Sequence, residues 1–169
     1  MKNILYEYAE AKKELCIKND SINPELYKEH NVKRGLRDIN GKGVVTGLTN
    51  ISKIISFDEN GEPCEGRLWY RGYTLQSLFD KHIKHDEFGF EKTAYLLLFG
   101  QLPSESELSE FCEALTAARK LPRNFTKDVI MKAPSVDIMN SMTRSILTLA
   151  SYDRNIAKND IATSLMQCI

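Results

Sequence analysis

The 169-residue chain has no excess of charge of either sign and no long apolar run. Lys plus Arg and Asp plus Glu each total 23, so the formal net charge is zero. Nucleic-acid-binding domains normally carry a basic patch, which this balance argues against. No apolar run approaches the ~18–20 residues of a membrane span, and acidic Glu7 stands where a signal peptide needs an apolar core. We therefore expect a cytoplasmic protein that binds neither nucleic acid nor membrane.

Cysteine is sparse, and glycine forms no phosphate-binding motif. The four cysteines at positions 16, 64, 112 and 168 include no close pair, which favours reduced thiols over a disulfide framework or a zinc site. Gly41-Lys42-Gly43 lacks the other positions of a P-loop or a dinucleotide fingerprint. A Gly-x-Ser-x-Gly nucleophile elbow is also missing. The sequence therefore excludes the commonest phosphate-cradle and serine-hydrolase motifs.

Only three histidines are available for acid–base chemistry or metal binding. His82 and His85 are three residues apart, and Asp86 adjoins them, so all three side chains could share one end of a helix. Zinc normally takes three or four protein ligands, and lysines lie between these histidines, so we expect a solvated helix end. His30 is expected at the surface near a helix C-terminus.

Two arginines offer a second candidate site. Arg67 and Arg71 alternate with Trp69 along a predicted strand. They could hold an anionic substrate, but we expect them to pair with carboxylates or to pack on Trp69. We expect Trp69 itself to be largely buried against helices. From the residues alone, no catalytic, cofactor-binding or metal site can be assembled.

The sequence predicts a mostly all-α chain with one small β-hairpin near residues 51–71. The β-branched run 51–57 and the run 67–71 flank a turn that contains Asn60-Gly61, as a hairpin requires. Helical patterns occupy most of the rest. Their predicted positions are 3–18, a short helix after Pro24, 75–79, 90–99 ending at Gly100, a capping box at Ser104 and Glu107, a short helix from Asn124 or Thr126, another capped by Ser135, and 159–169.

Three apolar patterns in these helices carry further expectations. Residues 95–99 are apolar on every side, which predicts burial all round, against helices that this chain lacks. Met139, Met142, Ile146 and Leu149 form a stripe that we expect in the core. Ile161, Leu165 and Ile169 form a stripe in a final helix that has no closing signal, so we expect the chain to be a truncated piece of a longer protein.

Two segments carry a resemblance to the citrate synthase family. Residues 66–73 (GRLWYRGY) are similar to a family strand that ends in Tyr-Arg-Gly-Tyr. Residues 90–103 (FEKTAYLLLFGQLP) are similar to a family helix that ends in Leu-Phe-Gly before Leu-Pro. Both the order and the separation of the segments match. The resemblance covers residues 33–169, which would be the N-terminal part of the large domain; residues 1–32 would be a helical extension.

The resemblance implies an acyltransferase that condenses acetyl-CoA with oxaloacetate to give citrate and CoA in the tricarboxylic acid cycle. It implies a helical homodimer, or a multiple of one, that needs no metal or redox cofactor. The family's catalytic aspartate and histidines follow the matching segment, so no site residue is carried over, and we expect the chain alone to be inactive. The same motifs occur in 2-methylcitrate synthase, which uses propionyl-CoA. An alternative from another class is a free-standing helical interaction module.

Overall fold

A computed structural model of the protein describes residues 4–30, 48–83 and 89–169. The described chain is mostly helical with one three-stranded antiparallel sheet, as the sequence predicts. The elements, in chain order, are α1 Ile4–Asp20, α2 Glu25–Glu29, β1 Ser52–Phe57, β2 Pro63–Tyr70, β3 Tyr73–Thr74, α3 Leu75–Ile83, α4 Phe90–Phe99, α5 Glu105–Ala118, a π-helical turn Thr126–Ile130, α6 Ile138–Ala150 and α7 Ile161–Cys168.

The chain forms two compact units. One comprises residues 14–111, and the other comprises residues 1–13 and 112–169. The predicted domain boundary between residues 32 and 33 lies outside the described residues, as does the glycine-rich segment 41–47, so that boundary stays a prediction.

The predicted hairpin is formed by β1 and β2. Lys53 stands opposite Trp69, and Ile54 stands opposite Leu68. In the loop between the strands, the Asp58 carboxylate accepts the backbone N–H groups of Asn60 at 2.8 Å and Glu62 at 2.9 Å. The backbone hydrogen bond from Glu62 is the main reason why the pKa of Asp58 lies below its usual value. An aspartate that holds its own loop together in this way is typical of hairpin connections.

The prediction of a single hairpin is wrong, because a second, tighter turn follows β2. Tyr70 pairs with Tyr73 across a two-residue loop. Its residues, Arg71 and Gly72, have φ values of 47° and 85°, the left-handed pair that a type I′ turn requires. The strand beyond the turn, β3, is only two residues long, so the alternation that normally reveals a strand in a sequence is too short to read.

The helix boundary signals give one correction. The capping box at α5 is present, since the Glu107 N–H donates to Ser104 Oγ at 3.3 Å and the Ser104 N–H donates to Glu107 Oε2 at 3.0 Å. Gly100 ends α4 in the left-handed conformation, as predicted. The prediction that Ser135 caps α6 is wrong. The cap is Asp137, whose carboxylate accepts the Asn140 N–H at 3.1 Å.

An aromatic cluster forms the core of the unit 14–111. The ring centroids of Tyr95, Phe99 and Phe111 lie 4.5–6.1 Å apart, a favourable range for tilted and edge-to-face pairs. Tyr95, Leu96 and Phe99 have no exposed surface. Leu97 and Leu98 are only half-buried, so the described residues cover part of this segment, and its packing against further helices stays a prediction.

The other unit has a core built on α7 and leaves α6 open. Leu165 and Met166 are buried, as is Phe125, whose ring meets Tyr152 with centroids 5.7 Å apart. The prediction that the α6 stripe lies in the core is wrong. Met139, Met142 and Ile146 are 67%, 51% and 62% exposed.

Candidate functional site

Arg71 is the better placed of the two candidate arginines. It sits in the type I′ turn after β2, and its side chain is 4% exposed. Gly72, the next residue, takes the second left-handed position without steric cost. The turn thus directs a long cationic side chain into the interior of the unit 14–111.

The Arg71 guanidinium bonds oxygens from three separate segments. Its Nη1 donates to Asn50 Oδ1 at 2.9 Å and to the Asn19 carbonyl at 3.3 Å. Its Nη2 donates to the Leu97 carbonyl at 3.0 Å and pairs with the Asp20 carboxylate. We call Asn19, Asp20, Asn50, Arg71 and Leu97 the Arg71 joint. The four terminal N–H groups are all engaged, so the guanidinium has no terminal donor left for a substrate carboxylate.

A second set of contacts tightens the same joint. Asn19 Nδ2 donates to the Phe99 carbonyl at 2.6 Å, and Asn50 Nδ2 donates to the Asn19 carbonyl at 2.6 Å. A Cβ placed on Gly100 would lie 2.6 Å from Asn19 Cβ, which is too close for any side chain. Glycine is therefore needed at position 100 both for its left-handed backbone and for the close approach of α1.

Arg67 and Trp69 form a surface pair instead of a substrate clamp. The Arg67 guanidinium carbon lies 5.8 Å from the Trp69 ring centroid, and Lys53 Nζ lies 5.5 Å from it. Both distances suit cation–π contacts. The predicted packing of arginine on Trp69 is thus confirmed. Trp69 itself is half-buried rather than largely buried.

Tyr95 and Glu107 place an ionisable pair inside the same unit. The Tyr95 hydroxyl donates to Glu107 Oε1 at 2.9 Å. Burial raises the pKa of Tyr95, and the hydrogen bond and charge of Glu107 raise it further, because both disfavour the phenolate. A phenol held neutral in this way fixes α4 to α5 and is not poised to act as a base.

The remaining sequence candidates do not assemble into a reactive site. His30 is exposed at the end of α2, as predicted. His85 and Asp86 lie outside the described residues. Within residues 4–30, 48–83 and 89–169, no group of three potential ligands could hold a metal ion, and no disulfide links the cysteines. No helix in that part of the chain is long and apolar enough to cross a membrane.

Among the described residues, α6 carries a continuous set of exposed apolar side chains. Together with the segment before it, α6 borders a groove of about 500 Å³. Ile130, Ile138, Met142 and Ile146 line this groove, and each is more than a third exposed. Exposed apolar patches on soluble proteins commonly mark interaction sites. The exposure of this surface could not be predicted from the sequence. An apolar stripe at helical spacing does not determine whether the surface that covers it belongs to the same chain.

Comparison with known proteins agrees with the fold and with the two motif segments. The family profile described as "Citrate synthase, C-terminal domain" matches residues 36–168. The chain belongs to the citrate synthase family. It is 28% identical over 124 residues to a citrate synthase from Saccharolobus solfataricus, a match that covers 73% of this chain and 28% of that protein. It is 33% identical over 101 residues to a 2-methylcitrate synthase from Mycobacterium tuberculosis, which covers 60% of this chain and 21% of that protein.

A solved structure supports the same fold. The citrate synthase from Pyrobaculum aerophilum superimposes with a TM-score of 0.56 at 23% identity, covering 81% of this chain and 35% of that one. The chain spans between 21% and 28% of the length of the two curated relatives named above. The matched relatives include proteins named citrate synthase and proteins named 2-methylcitrate synthase.

Proposed function

We propose that the chain is the scaffold portion of an enzyme that condenses acetyl-CoA with oxaloacetate to give citrate and CoA. The observation that carries the proposal is the family match over residues 36–168. The buried Arg71 joint and the aromatic cluster fit a supporting role, because the terminal N–H groups of Arg71 and the Tyr95 hydroxyl donate to oxygens of the same unit. Propionyl-CoA is the alternative acyl donor, favoured by the match to 2-methylcitrate synthase.

The chain on its own is inactive under this proposal. Acyl transfer of this kind needs a general base close to the acyl carbon and donors for the developing enolate oxygen. Arg71 is committed to the joint, the Tyr95 hydroxyl donates to Glu107, and His30 lies exposed on α2. The catalytic groups would come from residues other than these, and no metal or redox cofactor is invoked.

A second copy of the chain is the partner that we propose for the open face of α6. Arg144 is the one charged residue within α6, and its guanidinium donates to the Ala133 carbonyl at 2.6 Å. Two copies of this face could therefore meet around a twofold axis with few like-charge contacts. Self-complementary surfaces of this kind are typical of homodimers.

The activity proposal is tested on the protein as its own gene produces it. An affinity tag is added at the amino terminus in the native host, and the purified product is assayed for CoA release from acetyl-CoA and from propionyl-CoA. We expect oxaloacetate-dependent release, faster with acetyl-CoA. The recombinant 169-residue chain serves as the matched comparison and should release no CoA above the blank.

Three outcomes would count against the proposal. Oxaloacetate-dependent turnover by the 169-residue chain would show that its own residues form the site. Faster turnover with propionyl-CoA would assign the product to the alternative donor. A native product of the same 169 residues that releases no CoA from either thioester would favour the interaction-module alternative.

A further inference from the structure

The loop between β1 and β2 contains an asparagine followed by a glycine, Asn60-Gly61. Among the described residues, no other asparagine precedes a glycine. A second such pair in the sequence, Asn40-Gly41, lies outside the described residues. In an Asn-Gly pair, the backbone nitrogen of the glycine can attack the asparagine side chain, because glycine has no Cβ to obstruct the approach. The loop therefore holds a chemically reactive pair that the proposed condensation does not use.

The structure leaves this pair in contact with water and without steric hindrance. Every residue from 56 to 63 is exposed. Gly61 has a φ of 81°, and a Cβ built on it would meet no atom within 4 Å. No other part of the described chain therefore crowds the glycine of the pair.

Hydrogen bonds around Asp58 restrain the same pair. The Gly61 N–H donates to the Asp58 carbonyl at 3.1 Å. The Asp58 carboxylate accepts the N–H groups of Asn60 at 2.8 Å and Glu62 at 2.9 Å. The Gly61 nitrogen must lose its proton before it attacks, so the first of these bonds has to open. The other two hold the backbone on both sides of Gly61 and thereby keep the first bond closed.

The charge of the loop opposes the same reaction. Residues 58–63 include three carboxylates, those of Asp58, Glu59 and Glu62, and no basic residue. Nearby negative charge disfavours the formation of a further anion, here the amide anion at Gly61. These carboxylates adjoin the pair in the unfolded chain as well. A difference in rate between the folded and the unfolded chain therefore reports on the hydrogen bonds and not on the charge.

We propose that Asn60 is a site of spontaneous deamidation and that Asp58 slows the reaction by holding the Gly61 amide in the loop. The deprotonated Gly61 nitrogen forms a bond to Asn60 Cγ, the bond between Cγ and Nδ2 breaks, and Nδ2 leaves as ammonia with the displaced proton. Water then opens the resulting succinimide ring at either of its carbonyls, which gives aspartate or isoaspartate at position 60. The net reaction consumes one water and releases one ammonia. The inference concerns a covalent modification and stands apart from the proposed condensation.

The products would alter the connection between β1 and β2. Each of them adds a negative charge to a loop that already has three carboxylates. Isoaspartate also inserts an extra backbone atom before Gly61. The insertion displaces Glu62 relative to Asp58, whose N–H donates to the Glu62 carbonyl at 2.8 Å. Deamidation should therefore weaken the hairpin irreversibly.

The test follows the 169-residue chain during incubation in warm, mildly alkaline buffer, with and without guanidinium chloride. Trypsin separates the two Asn-Gly pairs, since Asn60 lies in peptide 54–67 and Asn40 in peptide 38–42. Mass spectrometry and labelling by an isoaspartate methyltransferase measure the products. We expect both products at Asn60, formed about tenfold more slowly in the folded chain, as two hydrogen bonds of ordinary net strength would account for. Asn124 is exposed and precedes a phenylalanine, so it should keep its amide.

A matched pair of variants separates the hydrogen bonds of Asp58 from its charge. Asp58→Ala and Glu59→Ala each remove one negative charge next to the pair, and only the first removes the acceptor of the Asn60 and Glu62 N–H groups. In native buffer, Asp58→Ala should deamidate about tenfold faster than Glu59→Ala. In guanidinium chloride the two should react alike. Asp58→Asn keeps an acceptor oxygen and should stay near the parent rate, which preserves the test if Asp58→Ala does not fold by circular dichroism.

Two kinds of result would overturn the proposal. Absence of both products at Asn60 in the folded chain, once the unfolded chain has converted completely, would exclude the modification site. Equal rates for the folded and unfolded parent would exclude the protective role of Asp58. That role would also be excluded if Asp58→Ala and Glu59→Ala reacted alike in native buffer, or if Asp58→Asn reacted as fast as the unfolded chain.

Discussion

At the scale of single residues, the Arg71 joint shows how one side chain holds three separate segments of the chain together. A guanidinium has a planar fork of donors that matches several oxygens at once. Here the fork donates to two backbone carbonyls, an amide oxygen and a carboxylate. A lysine has the same charge and lacks this geometry, so the joint depends on arginine in particular.

Replacing Arg71 should therefore weaken the fold more than replacing its ionic partner. Arg71→Met should lower the free energy of unfolding by about 3 kcal/mol, because buried acceptors lose their donor and Asp20 loses its charge partner. Asp20→Asn should cost less than about 1 kcal/mol, since the Asp20 side chain is 37% exposed and exposed ion pairs contribute little. Urea titration of the three proteins gives both values. An unchanged midpoint for Arg71→Met would mean that the joint does not stabilise the chain.

Gly100 permits a second comparison at this scale. Gly100→Ala should destabilise the protein by about 1–3 kcal/mol, because it forces a left-handed alanine and brings its Cβ within 2.6 Å of Asn19 Cβ. Gly61→Ala is the control, since Gly61 has a similar φ of 81° and open space around the added carbon. Thermal unfolding should show the larger loss for Gly100→Ala. Equal losses would mean that the contact with Asn19 relaxes without cost.

At the scale of elements, helix ends are where the sequence was most informative. The capping box at Ser104 and the helix end at Gly100 depend on residues only three or four positions away. Both can therefore be identified from a short stretch of sequence. The cap of α6 was misassigned because Ser135 and Asp137 are both good capping residues two positions apart, and only the backbone decides between them. The extra strand β3 was missed because two residues carry no period.

Ser104 should contribute measurably to the stability of α5. Ser104→Ala removes one half of the capping box and should cost about 1 kcal/mol in unfolding free energy. Ser109→Ala, an exposed change inside the same helix, should stay within about 0.5 kcal/mol of the parent. Both values follow from denaturant unfolding by circular dichroism. The cap would be unimportant if the two variants unfolded alike.

Asp160 should make the start of α7 sensitive to acid. Its carboxylate accepts the Thr163 N–H at 3.0 Å and the Thr163 hydroxyl at 2.7 Å. The backbone hydrogen bond is the main cause that lowers the pKa of Asp160 in the folded protein. Its contribution to stability is therefore present above the usual aspartate pKa and is lost as pH falls through the lowered value. Carbon-detected NMR titration should find the Asp160 midpoint below that of Asp160 in the unfolded chain, and a midpoint at or above it would contradict the cap.

At the scale of the whole molecule, the fold class and the family could be predicted from the sequence, whereas the Arg71 joint and the open face of α6 could not. The motif at residues 66–73 contains a turn formed by adjacent residues. It can therefore be recognised from the sequence alone. The joint depends on Asn19, Asn50 and Leu97, whose separations from Arg71 are 52, 21 and 26 residues. The α6 face was read as core because periodicity indicates an apolar face and does not identify what covers it.

Self-association should depend on that face. Sedimentation of the parent chain at micromolar concentration should show a dimer. Burying the apolar face is favourable by about 25 cal/mol for each Å² of apolar surface removed from water. Ile146→Glu should weaken the dimer at least tenfold, a loss of about 1.4 kcal/mol. Ile156→Glu is the matched control, as Ile156 is 59% exposed and lies outside α6. A parent that sediments as a monomer would contradict the proposed contact.

The spacing of the Arg71 joint also sets an order of events during synthesis. A ribosome releases the chain from its amino terminus, so the end of α1 emerges first and Asn50 follows. Arg71 comes next, and the Leu97 carbonyl emerges last. Until that final oxygen is available, burial of the guanidinium would leave it with an incomplete set of acceptors, which is unfavourable. The nascent chain must therefore keep Arg71 in contact with water until α4 has left the ribosome, so the first 96 residues cannot complete this part of the fold.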